Sequence, residues 1–193
     1  MRRGFALAAL CLALAGCDRI VGNDGPVRDV SGLVRDLHFT MTDENGRVVH
    51  ADDFRGAPVL LYFGYIHCPD VCPTTLARLS EAARKAAPKG LRIVFVTVDP
   101  ARDTTRQLAE YVHAFGPRVK GLRSNEDELE DLARRYRVSY SRAKPDARGE
   151  YEVTHSSGVF AFDAEGRARL LILPGASTGD IESAMRRLAN AAA

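Results

Sequence analysis

Tryptophan is absent from the 193 residues, cysteine is limited to four, and neither sign of charge is in clear excess. Each shortage excludes something. With 27 Lys and Arg against 25 Asp and Glu, and no basic stripe, nothing supports nucleic-acid binding. Four cysteines are too few for a disulfide-built scaffold. The longest apolar segment, Phe5 to Ala15, is well short of the ~20 residues that a membrane-spanning helix needs. No internal repeat is present, and low complexity is confined to alanine-rich ends. What remains is one globular domain with appendages, long enough to bury a core.

The N-terminus is one of those appendages. Arg2 and Arg3 precede the apolar segment, which closes on Leu14-Ala15-Gly16-Cys17. This resembles the lipobox of bacterial lipoprotein signal peptides, which implies removal of residues 1–16 and acylation of Cys17. Ordinary signal cleavage and an uncleaved anchor are the alternatives. Removing residues 1–16 takes away two basic residues and no acidic one, leaving 25 of each. Asp18 to Asp36, rich in Asp, Gly, Arg and Val without periodicity, reads as a tether, with the folded domain over 37–193.

Cys11 leaves with the signal segment and Cys17 is taken by lipid, so two cysteines remain, Cys68 and Cys72. They follow the apolar run Leu60-Leu61-Tyr62-Phe63-Gly64, a buried strand, and stand just before a helix. A disulfide closing so small a loop restricts the unfolded chain very little, so the pair is a poor staple and a better candidate for chemistry. Thiolates serve disulfide exchange, peroxide reduction and metal capture alike. Pro73 suits the first helical position, which places Cys72 at the cap.

The rest of the chain supplies the frame. Thr42-Asp43-Glu44-Asn45-Gly46 joins Leu37–Met41 to Arg47–Val49 as a hairpin. Strands are expected at Val59–Phe63 and Leu91–Val98, each followed by a helix. A short connecting element, a third helix from Ser124-Asn125, a hairpin of Ser157–Phe162 with Arg167–Leu173, and a last helix from Ser177 complete the order. Two buried parallel strands with crossover helices and a terminal hairpin predict an α/β fold. Its form is thioredoxin-like: a central mixed sheet flanked by helices, with an N-terminal β-hairpin and an insert before the final strand pair.

Two more residues fall at the sheet edge that carries the cysteines. His155 enters a strand expected to run antiparallel to the cysteine-bearing strand, so it either faces the thiols or is a structural or surface histidine. His67 is expected to point away from Cys68; His38 and His50 read as surface residues and His113 as a helix residue. Two thiolates plus one imidazole suit copper, whereas structural zinc usually takes four protein ligands. Asp99 ends the second buried strand. It either caps the next helix, a role Asp103 could fill alone, or acts beside the site or in partner docking.

At this point three ordered blocks carry a family likeness. Tyr62-Phe63-Gly64-Tyr65-Ile66-His67-Cys68-Pro69-Asp70-Val71-Cys72-Pro73-Thr74 resembles the signature of the Sco/SenC family. Val96-Thr97-Val98-Asp99-Pro100-Ala101-Arg102-Asp103-Thr104 resembles its second block, and Val153-Thr154-His155-Ser156-Ser157 its histidine block. The resemblance implies a membrane-tethered thioredoxin-fold protein that binds copper, Cu(I) or Cu(II), through Cys68, Cys72 and His155, with Asp99 nearby. It implies a periplasmic site at the inner membrane and assistance to the dinuclear copper site of cytochrome c oxidase. The expected partners are that enzyme's copper-bearing subunit and other periplasmic copper chaperones or thiol reductants. The same dithiol would serve a thiol–disulfide reductase acting on the target's cysteines, and Cys68 with Cys72 would then be the redox pair. A peroxiredoxin-like reading is weaker, because Pro69 stands where that family usually has Thr. There are two departures from the family pattern: a lipobox replaces the usual transmembrane helix, and Thr154 stands where many members carry Asp.

Overall fold

The protein is described here by a computed structural model covering residues 25–190. The expected signal peptide and Cys17 lie outside the described residues.

The elements, in chain order, are β1 (Val27–Asp29), β2 (Thr40–Asp43), β3 (Val48–His50), β4 (Val59–Gly64), α1 (Val71–Ala86), β5 (Arg92–Thr97) and α2 (Thr105–His113). There follow β6 (Val119–Arg123), α3 (Glu126–Tyr136), β7 (Tyr140–Arg142), β8 (Val153–His155), β9 (Val159–Phe162), β10 (Ala168–Ile172) and α4 (Thr178–Asn190). Eight strands form one mixed sheet in the order β1-β10-β9-β4-β5-β6-β2-β3; β7 and β8 form a separate hairpin. Strands β4, β5 and β6 are parallel, and β9 runs antiparallel to β4, as the expected fold requires.

All six residues of β4 are buried, which is why its sequence is apolar without alternation. Its side chains still alternate between faces. Tyr62 packs near Phe95, and Phe95 meets Tyr111 of α2, while Phe63 on the other face meets Tyr136 of α3. Helix α4 packs on α1. The cysteine loop thus leaves β4 from between two covered faces, at the carboxyl end of the parallel strands.

Four local expectations need correction. Val27–Asp29, within the stretch read as a tether, pairs with β10, Val27 opposite Ile172. This three-residue edge strand is held by backbone pairing, and so few residues carry no periodic signal. The short connecting element is a full strand, β6, pairing with β5 and, antiparallel, with β2. Its signal is weakened by Gly121, where a Cβ would come within 2.6 Å of Leu108 Cγ: the helix above fills the place of a side chain. Helix α1 begins at Val71 rather than Pro73, so Cys72 lies inside its first turn. The cap of α2 is Thr104, not Asp103; the Thr104 hydroxyl accepts from the Gln107 amide.

Candidate metal and thiol site

The cysteine half of the site is built by helix capping. Asp70 is the N-cap of α1, yet its side chain caps no amide; the Cys72 amide donates to Cys68 Sγ at 3.4 Å. A sulfur therefore takes one of the amide donors exposed at the helix start. The positive end of the helix favours negative charge there. Both cysteines are free thiols, Cys72 fully buried and Cys68 partly exposed.

His155 arrives from the far end of the sequence. It ends β8 opposite Tyr140 of β7, and its Nε2 lies 3.3 Å from Cys72 Sγ. Nδ1 lies 3.1 Å from the Ser156 carbonyl oxygen. A carbonyl only accepts, so the ring proton is assigned to Nδ1 and the Nε2 lone pair faces the sulfur. The imidazole is edge-on to Tyr65 and Tyr62, with ring centroids 6.0 and 6.3 Å away. Burial lowers its pKa, only partly opposed by the Ser156 contact, so the ring stays neutral and able to act as a donor atom.

Burial also pushes the Cys72 thiol up, to about 12. The Tyr65 backbone and the Tyr62 hydroxyl pull it back towards ionisation. Tyr62 Oη is itself fully buried; Cys72 and Thr75 are its polar neighbours, and neither is placed in good hydrogen-bond geometry. Desolvation outweighs the helix end here, so Cys72 holds its proton until an electrophile or cation displaces it.

Cys68, Cys72 and His155 thus share one corner of the fold. As they stand, no set of three His, Cys, Asp or Glu side chains among the described residues is arranged to hold a metal ion. Cys68 Sγ meets the Cys72 amide and His155 Nε2 meets Cys72 Sγ, so Cys72 is the residue that both other groups approach.

The remaining histidine expectation fits: His67 Nδ1 lies 3.2 Å from Asp103 Oδ1, away from the thiols. Asp99 is not available for direct docking, since its carboxylate is fully buried and bound by Arg102 Nε at 2.6 Å and Tyr151 Oη at 2.8 Å. Sequence reasoning missed the larger part played by Asp103. Also fully buried, it accepts from the Ile66 amide at 3.0 Å and from the Thr97 hydroxyl, and so fixes the loop that carries Cys68. Burial raises its pKa against the pull of these donors. Its only sequence signal is a second acid four residues after Asp99.

No helix among the described residues is long and apolar enough to cross a membrane. A family model described as SCO1/SenC matches residues 33–190. The "Protein SCO2 homolog, mitochondrial" of Bos taurus is 42% identical over 132 residues, covering 66% of this chain and 50% of that protein. The "SCO2-like protein" of Rickettsia felis is 36% identical over 132 residues, covering 67% of this chain and 64% of that protein. The chain therefore spans about half the length of the bovine relative. Among solved structures, Bradyrhizobium japonicum ScoI with copper bound superposes with a TM-score of 0.72 at 30% identity, covering 80% of this chain and 99% of that one. Yeast Sco1 with copper bound gives 0.71 at 27% identity, covering 80% and 87%. With a family match running through nearly the whole described body, this chain belongs to the SCO1/SenC family.

Proposed function

We propose that this chain captures copper through Cys68, Cys72 and His155 and passes it to the copper-bearing subunit of cytochrome c oxidase. The carrying observation is the approach of His155 Nε2 to 3.3 Å from Cys72 Sγ, across 83 residues of sequence. Thiol exchange needs only the two sulfurs, whereas a neutral imidazole aimed at one of them suits a metal. Two sulfurs and one nitrogen form a soft set that fits copper. Solved relatives with copper bound support the same reading. On this reading the domain is held at the periplasmic face of the inner membrane by lipid on Cys17.

A second reading is a thiol–disulfide reductase, favoured by the partly exposed Cys68 sulfur at a helix N-terminus. The two roles share one condition, since an oxidised pair binds no copper.

Anaerobic titration of the reduced protein with Cu(I) and Cu(II), beside Cys68→Ser, Cys72→Ser and His155→Ala, tests the proposal. One equivalent should bind wild type, and either serine variant should abolish binding of both ions. Stoichiometric Cu(II) binding that survives His155→Ala unchanged would remove His155 from the ligand set. In cells, oxidase copper loading restored by a reductant but not by added copper would favour the reductase.

A further inference from the structure

The hairpin that carries His155 is not part of the main sheet. Strands β7 and β8 pair only with each other, three residues on each side. An isolated two-stranded hairpin is marginal in water, so its position depends on ties to the body. At its base, the Ser156 amide donates to the Ser139 carbonyl and the Ser139 amide donates to the Ser156 hydroxyl, and Tyr65 reaches the Val153 backbone. Of the remaining ties, Arg142 pairs with Glu126 of α3 at 2.9 Å and Glu150 with Arg102 at 3.4 Å; the others meet at the end of β5, chiefly on one buried carboxylate.

That carboxylate is Asp99. Tyr151, two residues before β8, donates its hydroxyl to Asp99 Oδ1 at 2.8 Å. Arg142, opposite Val153 in the hairpin, places Nε 3.5 Å from the same oxygen and donates from Nη2 to the Val98 carbonyl at 2.8 Å. Arg102 binds Asp99 Oδ2 and sets its Cζ over the Tyr151 ring, 3.5 Å from the centroid. The Asp99 amide in turn rests on the Thr97 hydroxyl, which donates to Asp103, the residue that fixes the Cys68 loop. One short segment of β5 thus braces both halves of the site.

We propose that Tyr151 and Arg142 are positioning residues for copper binding: by latching the β7–β8 hairpin to Asp99 they hold His155 against Cys72. The inference rests on His155 being a copper ligand. Neither side chain touches the metal position. They act on where the imidazole stands, and so on the ion that needs it more. Two thiolates satisfy Cu(I), while Cu(II) depends on the nitrogen donor. The latch therefore sets retention of Cu(II) relative to Cu(I).

The test uses the full mature chain, reduced and metal-free, in wild type, Tyr151→Phe, Arg142→Met and His155→Ala, with Arg148→Ala as a control on an exposed turn. Tyr151→Phe removes one oxygen and keeps the ring under Arg102. Both latch variants should bind Cu(II) about tenfold more weakly, the cost of one charge-assisted hydrogen bond, while Cu(I) affinity changes by less than about threefold. Their Cu(II)–thiolate absorption should shift towards that of His155→Ala. Before any metal is added, proton contacts between the His155 and Tyr65 rings should weaken in both latch variants and persist in Arg148→Ala. Wild-type ring contacts and Cu(II) affinity in both latch variants, with His155→Ala impaired, would overturn the inference and leave the ligand set intact. If His155→Ala leaves Cu(II) binding unchanged, the ligand reading falls, and the proposed effect on copper falls with it.

Discussion

Tyr62→Phe separates stability from thiol chemistry at one atom. The Tyr62 ring is fully buried and packs near Phe95, while its hydroxyl lies beside Cys72 and Thr75 without good hydrogen-bond geometry to either. Burial pushes the phenol far above its usual range, so the group remains a hydroxyl at any working pH. A buried hydroxyl left unpaired costs about 1–3 kcal/mol. Phenylalanine keeps the ring and removes that cost, less a small loss of contact where the oxygen stood. In a domain of this size each kcal/mol moves Tm by about 2–4 °C. The reduced, metal-free variant should therefore melt about 2–5 °C higher than wild type, near the lower end of the range these figures allow. The same oxygen lowers the Cys72 pKa, so its removal pushes that thiol further up and slows alkylation of Cys72 at fixed pH. Thermal melts followed by circular dichroism, with timed iodoacetamide trapping and mass spectrometry, read both effects. A variant that melts lower than wild type would refute the reasoning, because it would mean that a buried water or another group satisfies the hydroxyl.

Three further outcomes are expected. Gly64→Ala would place a Cβ 2.6 Å from Phe95 Cε2 and 3.0 Å from Cys72 Sγ, so it should cost about 1–3 kcal/mol by overpacking and weaken copper binding, read by melts and metal competition. Burial holds the Cys72 thiol at about 12, so copper must displace its proton at every ordinary pH. Apparent Cu(I) affinity should accordingly rise at least about tenfold per pH unit between about pH 6 and 9, and a flatter slope in competition titrations would contradict the thiol assignment. Asp103→Asn removes the charge that accepts from Ile66 and Thr97, which should cost about 2 kcal/mol and speed alkylation of Cys68 by freeing its loop, both checked by denaturant melts and trapping rates.

The legible parts of the sequence are those where one local rule decides the outcome. Strands β4 and β5 are buried on both faces and read as unbroken apolar runs, and Asn45-Gly46 marks a turn whose glycine sits at φ +80°. The neighbourhood of His155 was legible by topology, because a strand antiparallel to β4 begins where β4 ends, yet the residue itself ends the separate strand β8, four residues ahead of β9, instead of entering the sheet strand as expected. The illegible parts are those where a partner far away in sequence replaces the local signal. Leu108 fills the space over Gly121 and hides β6, and a sulfur from Cys68 does the capping that Asp70 leaves undone. The charged stretch around Tyr151 reads as a polar excursion, and only the fold shows that its one aromatic residue reaches Asp99.

The two halves of the site therefore differ in how they are held. Cys68 and Cys72 are joined by three intervening residues and a helix start, so their spacing survives wherever α1 forms. His155 has no such local guarantee; its hairpin depends on Asp99, Val98 and Tyr65, each from another part of the fold. Damage to the body should then reach the two halves unequally. On the proposed reading, a destabilised chain should keep its dithiol, and with it any disulfide exchange and Cu(I) binding, after it has lost the imidazole. If one protein serves both as a reductant and as a copper donor, the switch between the roles lies in the position of His155, because the sulfurs are common to both.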